Sequence, residues 1–325
     1  LKTALQRADA VLSESFWGGG SVELLVRSRA WVVEQILLAA WEHVFGETGN
    51  LALVAVGGFG RGELHPCSDV DLMVLLGGLE DAGQDIVGIE RFVTLLWDAG
   101  LYLGHSVRTV EECVQEARKD VVTATNLMES RLLGGDPGLF GAMRENTEVS
   151  KVWPGPEFFE AKQQEQLRRH ERFEDTAYNL EPNIKEGPGG LRDIQMIAWV
   201  AMRHFGAGSL HGLVDHGLLT EPEYGDLHAG KLFLWRVRYA LHLLAGRGED
   251  RLLFDFQRQI AERFGYSGGR DTNEAIELFM QDYYRVVQQL ERLNERLLQL
   301  LREMLAPDDT HDGEIIAEEF RVAHG

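Results

Sequence analysis

The chain has 325 residues, and its 52 acidic against 32 basic residues give a formal net charge of −20 at pH 7. Such an acidic surface repels phosphates, so binding to nucleic acid is disfavoured. The length favours two domains, and 44% hydrophobic residues suffice for packed cores. With two cysteines, scattered histidines and no long apolar run, we expect a cytoplasmic protein without zinc and without a membrane segment.

The first part of the chain predicts a helical segment, residues 1–50, that packs on the domain after it. Within it, a helix over 22–45 is indicated by apolar residues at the spacing of one helix face. These residues are Val33, Ile36, Leu37, Ala40 and Val44.

The segment 51–76, LALVAVGGFGRGELHPCSDVDLMVLL, predicts two apolar strands, 51–57 and 70–76, joined through a glycine turn. Asp69 and Asp71 are two residues apart, so on an extended strand their side chains point the same way. Acids that open an apolar strand are costly to bury unless a cation pairs with them. Two such carboxylates beside a glycine turn indicate a site for Mg²⁺ carrying nucleotide phosphates. The alternative is a turn whose aspartates are merely solvated.

Two other phosphate-binding motifs are excluded. Gly57-Gly58-Phe59-Gly60 resembles part of a dinucleotide-binding fingerprint, but that fingerprint runs straight into a long helix. Here Pro66 interrupts, and a second strand follows within a dozen residues. No P-loop sequence occurs anywhere in the chain.

The spacing h-G-G-x(10)-D-h-D-h resembles the signature of the polymerase-β-like nucleotidyltransferase superfamily. The resemblance implies an α+β catalytic domain, a mixed sheet with flanking helices. It places Gly57 and Gly58 at the glycine pair, where the backbone approaches the triphosphate at a helix N-terminus. It places Asp69 and Asp71 at the two acids that hold Mg²⁺.

Further candidates lie around this motif. Ser68 could donate to a phosphate, and Arg61 either meets phosphate or has a structural role. Many superfamily members carry a third acid on a later strand, which serves as the base for the acceptor hydroxyl. On the strand predicted over 101–108, Ser106 stands where that acid is expected, which leaves the base unassigned. The remaining candidates for it are His105, Glu129, Glu186 and Asp193.

Downstream of a helix at 85–98 and the third strand, the pattern is almost entirely helical. The shift in pattern predicts a nucleotidyltransferase domain over 51–150 and an all-α helical bundle over 151–306. The predicted helices are 110–133, 137–146, 156–178, 191–205, 222–246, 255–264 and 273–305.

The last of these helices carries an apolar stripe at steps of three and four. Such a stripe fits either a coiled-coil dimer or a helix packed within an intrachain bundle, and we favour the bundle, because neighbouring helices also need partners. The stripe residues are Ile276, Phe279, Tyr283, Val286, Leu290, Leu293, Leu297, Leu300 and Met304.

Three segments narrow the resemblance from a superfamily to one family. They are GGFGRGELHPCSDVDL, GHSVRT (104–109) and NLEPNIKEGPGGLRDIQ (179–195). In this order they resemble the protein-PII uridylyltransferase family, over about residues 22–302. The resemblance implies Mg²⁺-dependent transfer of UMP from UTP to a tyrosine of the PII signalling protein in bacterial nitrogen control, with release of pyrophosphate.

The third segment contains a glycine-rich turn, Gly187 to Gly190, before a helix that starts near Leu191. We expect the turn either to leave N–H groups free for a phosphate or for the protein acceptor, or to be a structural loop between the domains. Candidate contacts are Lys185, Gly189, Gly190, Arg192 and Asp193.

Full-length members of the resembled family continue with an HD-type phosphohydrolase domain and two ACT domains. Residues 307–325 are therefore expected to be a linker toward an HD domain absent from this chain. The chain is then expected neither to remove UMP from its target nor to respond to glutamine. Alternatives are an ATP-using adenylyltransferase acting on PII or glutamine synthetase, a non-catalytic nucleotide-binding regulatory module, and a helical interaction scaffold. The oligomeric state stays open.

Overall fold

In the computed structural model, a small sheet flanked by helices is followed by a long helical region, which confirms the predicted α+β class. Within the described residues, no helix combines the length and the apolar character needed to cross a lipid bilayer. The structure describes residues 1–46, 50–78, 82–173, 179–206, 209–267, 272–305, 314–317 and 320–322.

The N-terminal part of the chain holds two helices, and the sheet region holds four strands among six further helices. The N-terminal helices are α1 (Lys2–Trp17) and α2 (Val22–Phe45). The strands are β1 (Leu51–Ala55), β2 (Val70–Leu76), β3 (Leu103–Thr109) and β4 (Arg131–Gly135). The helices are α3 (Gly57–Gly60), α4 (Ala82–Asp98), α5 (Val110–Lys119), α6 (Val121–Met128), α7 (Pro137–Asn146) and α8 (Val149–Val152).

The remaining elements are helical apart from a short strand pair. The helices are α9 (Gly155–Arg172), α10 (Leu191–Phe205), α11 (Gly212–Asp215), α12 (Glu221–Ala245), α13 (Phe254–Arg263) and α14 (Thr272–Leu305). The pair is β5 (Glu314–Ala317) with β6 (Phe320–Val322), antiparallel. Much of the predicted linker 307–325, and residues 174–178 of a predicted helix, lie outside the described residues.

The sheet has the strand order β3-β2-β1-β4. β1 pairs antiparallel with β2 and with β4, whereas β2 and β3 are parallel and place Asp71 opposite Gly104. Because successive side chains of a strand point to opposite faces, each face of the sheet forms its own core. One core contains residues of α2 and α4, and the other contains residues of α5, α6 and α7.

The helix predicted over 110–133 is wrong in its last part. Helix α5 ends at Lys119, and Asp120 starts a new helix by accepting the N–H groups of Val122 and Thr123. Residues 131–135 then form β4, which pairs with β1. Leu132 and Leu133, which precede two glycines, show no alternation typical of a strand, so pairing with β1 determines their conformation.

Helix α14 packs inside the chain. Phe279, Tyr283 and Leu297 of its stripe are fully buried, and their neighbours come from α9, α10, α12 and α13. The apolar stripe of α14 thus packs within an intrachain bundle, which confirms the favoured interpretation over a coiled-coil dimer. Met304 is an exception, since about half of its surface is exposed.

The helix α2 contributes to both regions of the molecule. Its first residues, Val22 and Val26, lie in the core of the helical region, and its middle, around Val33, lies on the sheet. The ring of Phe16 in α1 also stacks on Tyr239 of α12, with ring centres 4.5 Å apart. These contacts join the sheet to the bundle, and a cavity opens between the two.

Candidate active site

The cavity has a volume of about 810 Å³ and is lined by residues of both regions. Ten of the residues singled out in the sequence line it together, although some come from segments more than one hundred residues apart. They are Gly57, Gly58, Arg61, Ser68, Asp69, Asp71, Glu129, Lys185, Glu186 and Arg192. Gly189, Gly190 and Asp193 are not among its lining residues.

Asp71 lies on β2 between two glycines that leave room for its carboxylate. A Cβ atom added to Gly57 would lie 3.1 Å from Oδ2 of Asp71, and one added to Gly104 would lie 2.5 Å from Oδ1. Gly57 also has φ +57°, a conformation that favours glycine. As the first residues of α3, Gly57 and Gly58 have N–H groups without a partner inside that helix.

The two aspartates lie close together without a cationic partner among the described residues. Burial, followed by repulsion from Asp69, raises the pKa of Asp71 above its ordinary value, although Lys185, Arg192 and Arg61 act in the opposite direction. Within the described part of the chain, neither aspartate forms an ion pair. Nor do three or more His, Cys, Asp or Glu side chains of the described residues come together as a metal cluster.

This donor set fits Mg²⁺ delivered with a nucleotide. Mg²⁺ is commonly bound through one or two carboxylates plus substrate phosphates and keeps several waters, so it needs no cage of protein ligands. Beside the pair, Oγ of Ser68 is buried without a hydrogen-bond partner among the described residues. An unpaired hydroxyl next to two unpaired carboxylates fits a place where a bound ligand would complete the contacts.

The strand register corrects the expectation about a third acid. Gly104, not Ser106, stands beside Asp71, and Ser106 stands beside Met73. His105 alternates to the opposite face of the sheet, where its ring contacts that of Trp97 in α4, at 6.0 Å between centres. His105 is therefore not placed to take a proton at the aspartates.

The turn Gly187 to Gly190 also departs from expectation, because its N–H groups are not free. Gly189 N–H donates to Asp193, Leu191 N–H donates to the Ile184 carbonyl, and Arg192 N–H donates to the Lys185 carbonyl, at 2.8 to 3.1 Å. The N–H of Gly190 is bonded to the Gly187 carbonyl in the same way. The turn thus closes on itself and offers no main-chain anion site.

Asp193 is the centre of that closed structure and not a contact for substrate. Its carboxylate is 1% exposed and accepts hydrogen bonds from Gln166 and Arg169 of α9, at 2.8 and 2.7 Å, with His170 at 3.1 Å. Burial alone would raise its pKa, but the His170 hydrogen bond and the Arg169 charge outweigh burial and lower it. Its role is to fix α9 against the start of α10.

What the turn does supply is two cationic side chains at its ends. Lys185 and Arg192 both reach the cavity, and Glu186 lies 3.6 and 3.4 Å from their nitrogens. Burial, followed by repulsion from Arg238, lowers the pKa of Lys185. Asp250 accepts from Arg238 at 2.6 Å and lies 3.9 Å from Lys185, so the bundle holds this lysine in position.

Arg61 is largely neutralised. Its guanidinium donates to Glu63 at 2.8 Å and to Glu129 at 2.7 Å, and Glu129 also accepts from the indole N–H of Trp199. This network ties the glycine turn to α10. The network therefore supports a structural role for Arg61 at least as well as a contact with phosphate. It also engages the carboxylate of Glu129.

Sequence reasoning missed one lysine of the cavity wall. Lys162 of α9 is fully buried, pairs with Glu165, and holds its ammonium 4.1 Å from the ring centre of Trp199. Burial lowers its pKa, against the opposing effect of Glu165. No local signal marked it, because a lysine in a polar helix is ordinarily exposed.

Comparison with known proteins places this chain among similar sequences of one description. Residues 157–298 match the family described as GlnD PII-uridylyltransferase. The chain is 49% identical over 326 residues to a bifunctional uridylyltransferase/uridylyl-removing enzyme of Pseudomonas putida, across all of this chain and 36% of the relative. It is 51% identical over 307 residues to the enzyme of the same description from Pseudomonas aeruginosa, across 94% of this chain and 34% of the relative.

A relative from Azotobacter vinelandii with that description is 49% identical over 328 residues, again across all of this chain and 36% of its own length. The chain thus spans about a third of the length of the curated relatives that it matches. Over the segment it spans, the chain is similar to the PII-uridylyltransferase family.

Proposed function

We propose that the chain carries the uridylyl-transferring site of the PII-uridylyltransferase family and moves UMP from UTP to a tyrosine hydroxyl of the PII protein, releasing pyrophosphate. One observation carries the proposal. Asp69 and Asp71 lie unpaired beside the glycine turn, and Lys185 and Arg192 of the family segment face the same cavity. Carboxylates for a metal and cations for phosphates are the two halves of a nucleotidyl-transfer site.

Each group of residues has its own part in the reaction. The N–H groups at the start of α3 and the Ser68 hydroxyl bind phosphate oxygens, and Lys185 and Arg192 balance the charge of the triphosphate. The acceptor oxygen attacks the α-phosphorus and its proton passes to water, the bond from that phosphorus to the bridging oxygen breaks, and pyrophosphate leaves. The chain contributes chiefly position and charge, as in other phosphoryl transfers.

The two aspartates are the residues that would hold Mg²⁺. When bound, the metal neutralises charge on the reacting phosphates and orients them. The other cavity-lining acids among the described residues are all engaged in ion pairs, including the base candidates Glu129 and Glu186. They are therefore poorly placed to accept the proton of the tyrosine.

Labelling with each nucleotide in turn tests this proposal. Purified PII protein, Mg²⁺ and one α-labelled nucleoside triphosphate are incubated with the chain, and label on the protein is counted. We expect label from UTP that Asp71→Asn abolishes and that the exposed control Asp98→Asn of α4 leaves unchanged. Label from ATP alone would instead support the adenylyltransferase alternative, and nucleotide binding without any label would support the regulatory module.

A further inference from the structure

The outer strand β3 has an open edge beside the proposed site. It is the last strand of the sheet, and within the described residues no strand or helix pairs with its outer side. Its residues Gly104, His105 and Val107 are exposed. Exposed strand edges are ready templates for pairing with another chain, and natural proteins usually cover or charge them.

The register shows which main-chain groups face outward. In a parallel pair, alternate residues direct both N–H and C=O toward the neighbouring strand. Val70 stands opposite Leu103, and its N–H donates to the carbonyl of Tyr102 at 2.8 Å. Gly104, Ser106 and Arg108 therefore bond to β2, and the outward residues are Leu103, His105 and Val107.

The open edge leads directly to the aspartates. Tyr102, just before β3, lines the cavity and is 71% exposed, and Gly104 stands opposite Asp71. A tyrosine that attacks a nucleotide bound beside Asp71 must bring its neighbouring residues past one side of the site. The outer edge of β3 is the side on which an extended segment finds free hydrogen-bonding groups.

We propose that the acceptor protein docks by adding an extended segment, which contains its reactive tyrosine, to the edge of β3. This inference rests on the proposed function and names how its acceptor is held. Main-chain pairing to Leu103, His105 and Val107 fixes the segment. Exposed apolar side chains of Trp97 and Val107 give it a surface to pack on.

The arrangement also fits a tyrosine as the acceptor residue. A residue added opposite Gly104 lies two strand spacings, about 10 Å, from the backbone of Asp71. Gly104 has no side chain in between, so a long side chain can cross above it. A tyrosine carries its hydroxyl at the far end of the ring, whereas the hydroxyl of serine or threonine stays close to its own backbone.

Hydrogen exchange of the chain with PII protein and a non-hydrolysable UTP analogue tests the docking mode, and β3 supplies its own control. The outward amides of Leu103, His105 and Val107 should exchange roughly tenfold or more slowly in the complex. The inward amides of Gly104, Ser106 and Arg108 are already bonded to β2 and should change little. Unchanged exchange of the outward amides in a saturated complex overturns the inference.

A pair of variants gives an independent test. His105→Pro removes one outward N–H, a change that edge strands tolerate, whereas His105→Ala removes only the side chain. We expect the KM for PII to rise about tenfold in His105→Pro, the loss of roughly one hydrogen bond, and to stay near the wild-type value in His105→Ala. Equal effects of the two variants, or none in either, contradict main-chain docking.

The outcomes separate this inference from the proposed function. If the unaltered chain puts no UMP on PII, the proposed function fails and the docking mode fails with it. If UMP is transferred but the outward amides stay unprotected, the docking mode alone fails. Circular dichroism and thermal unfolding of both variants confirm that the sheet has formed.

Discussion

Two glycine-rich turns each lead into a helix, and the sequence suggests the same use for both. The turn at Gly57 opens toward the cavity, and its glycines make room for Asp71. The turn Gly187 to Gly190 uses its N–H groups internally and packs against α14, where a Cβ on Gly189 would lie 2.3 Å from the Val287 carbonyl oxygen. A glycine turn before a helix is thus a phosphate site only when its N–H groups stay free.

Of the changes that test the difference between the two turns, substitution of Asp71 beside the open turn should have the largest effect. Asp71→Asn keeps the shape of the side chain but removes the charge that would hold Mg²⁺, an interaction worth several kcal/mol. Transfer of labelled UMP to PII should fall by about 10³-fold or more. A variant that keeps more than a tenth of the wild-type rate contradicts the metal assignment.

Gly57→Ala tests the open turn. The new methyl group meets Asp71 and must also adopt a positive φ, so transfer should fall by about 10²-fold, as when an active-site group is displaced by about 1 Å. Gly217→Ala is the matched control, because Gly217 has φ +71° and no atom near the added Cβ. Equal loss of activity in both variants would show that backbone strain alone is responsible.

Gly189→Ala tests the closed turn. Overlap with Val287 adds to the strain of φ +67°, so the free energy of unfolding should fall by about 2–5 kcal/mol. Gly217→Ala should lose only about 1–2 kcal/mol. Urea denaturation measures both. A Gly189→Ala variant that is fully stable but binds UTP poorly would restore the phosphate role of this turn.

Lys185→Met tests whether the closed turn works through its side chains. Losing one charge-assisted contact to phosphate costs about 1.5–3 kcal/mol, so the KM for UTP should rise at least about tenfold. Lys119→Met on the exposed end of α5 is the control and should leave the KM unchanged. An unchanged KM in Lys185→Met would mean that this lysine only pairs with Glu186 and Asp250.

A smaller effect concerns stability and pH. Because burial and Asp69 raise the pKa of Asp71, the folded chain holds this proton more tightly than the unfolded chain, and the ionised carboxylate costs stability at neutral pH. Without metal, Asp71→Asn should therefore melt above the wild type at pH 7. The difference should shrink as the pH falls toward about 4, the ordinary range of aspartate. A lower Tm for Asp71→Asn at pH 7 contradicts this account.

Local patterns in the sequence predicted much of the fold and the first half of the site. The spacing from Gly58 to Asp69 predicted the metal and phosphate residues, because both lie within one strand–turn–strand unit. The partners of Asp71 across the sheet, and the identity of β4, depend on register, which no local pattern contains. Lys162 and Asp250 reach the cavity only through the packing of the helical region.

In the proposed reaction, the open turn and its two aspartates hold the nucleotide from which UMP passes to a protein tyrosine. Mass spectrometry of PII after incubation with UTP, Mg²⁺ and either the wild-type chain or Asp71→Asn tests it most directly. We predict a UMP adduct on a single tyrosine with the wild type and none with the variant. An adduct of equal yield with both proteins, or no adduct with either, would contradict the account.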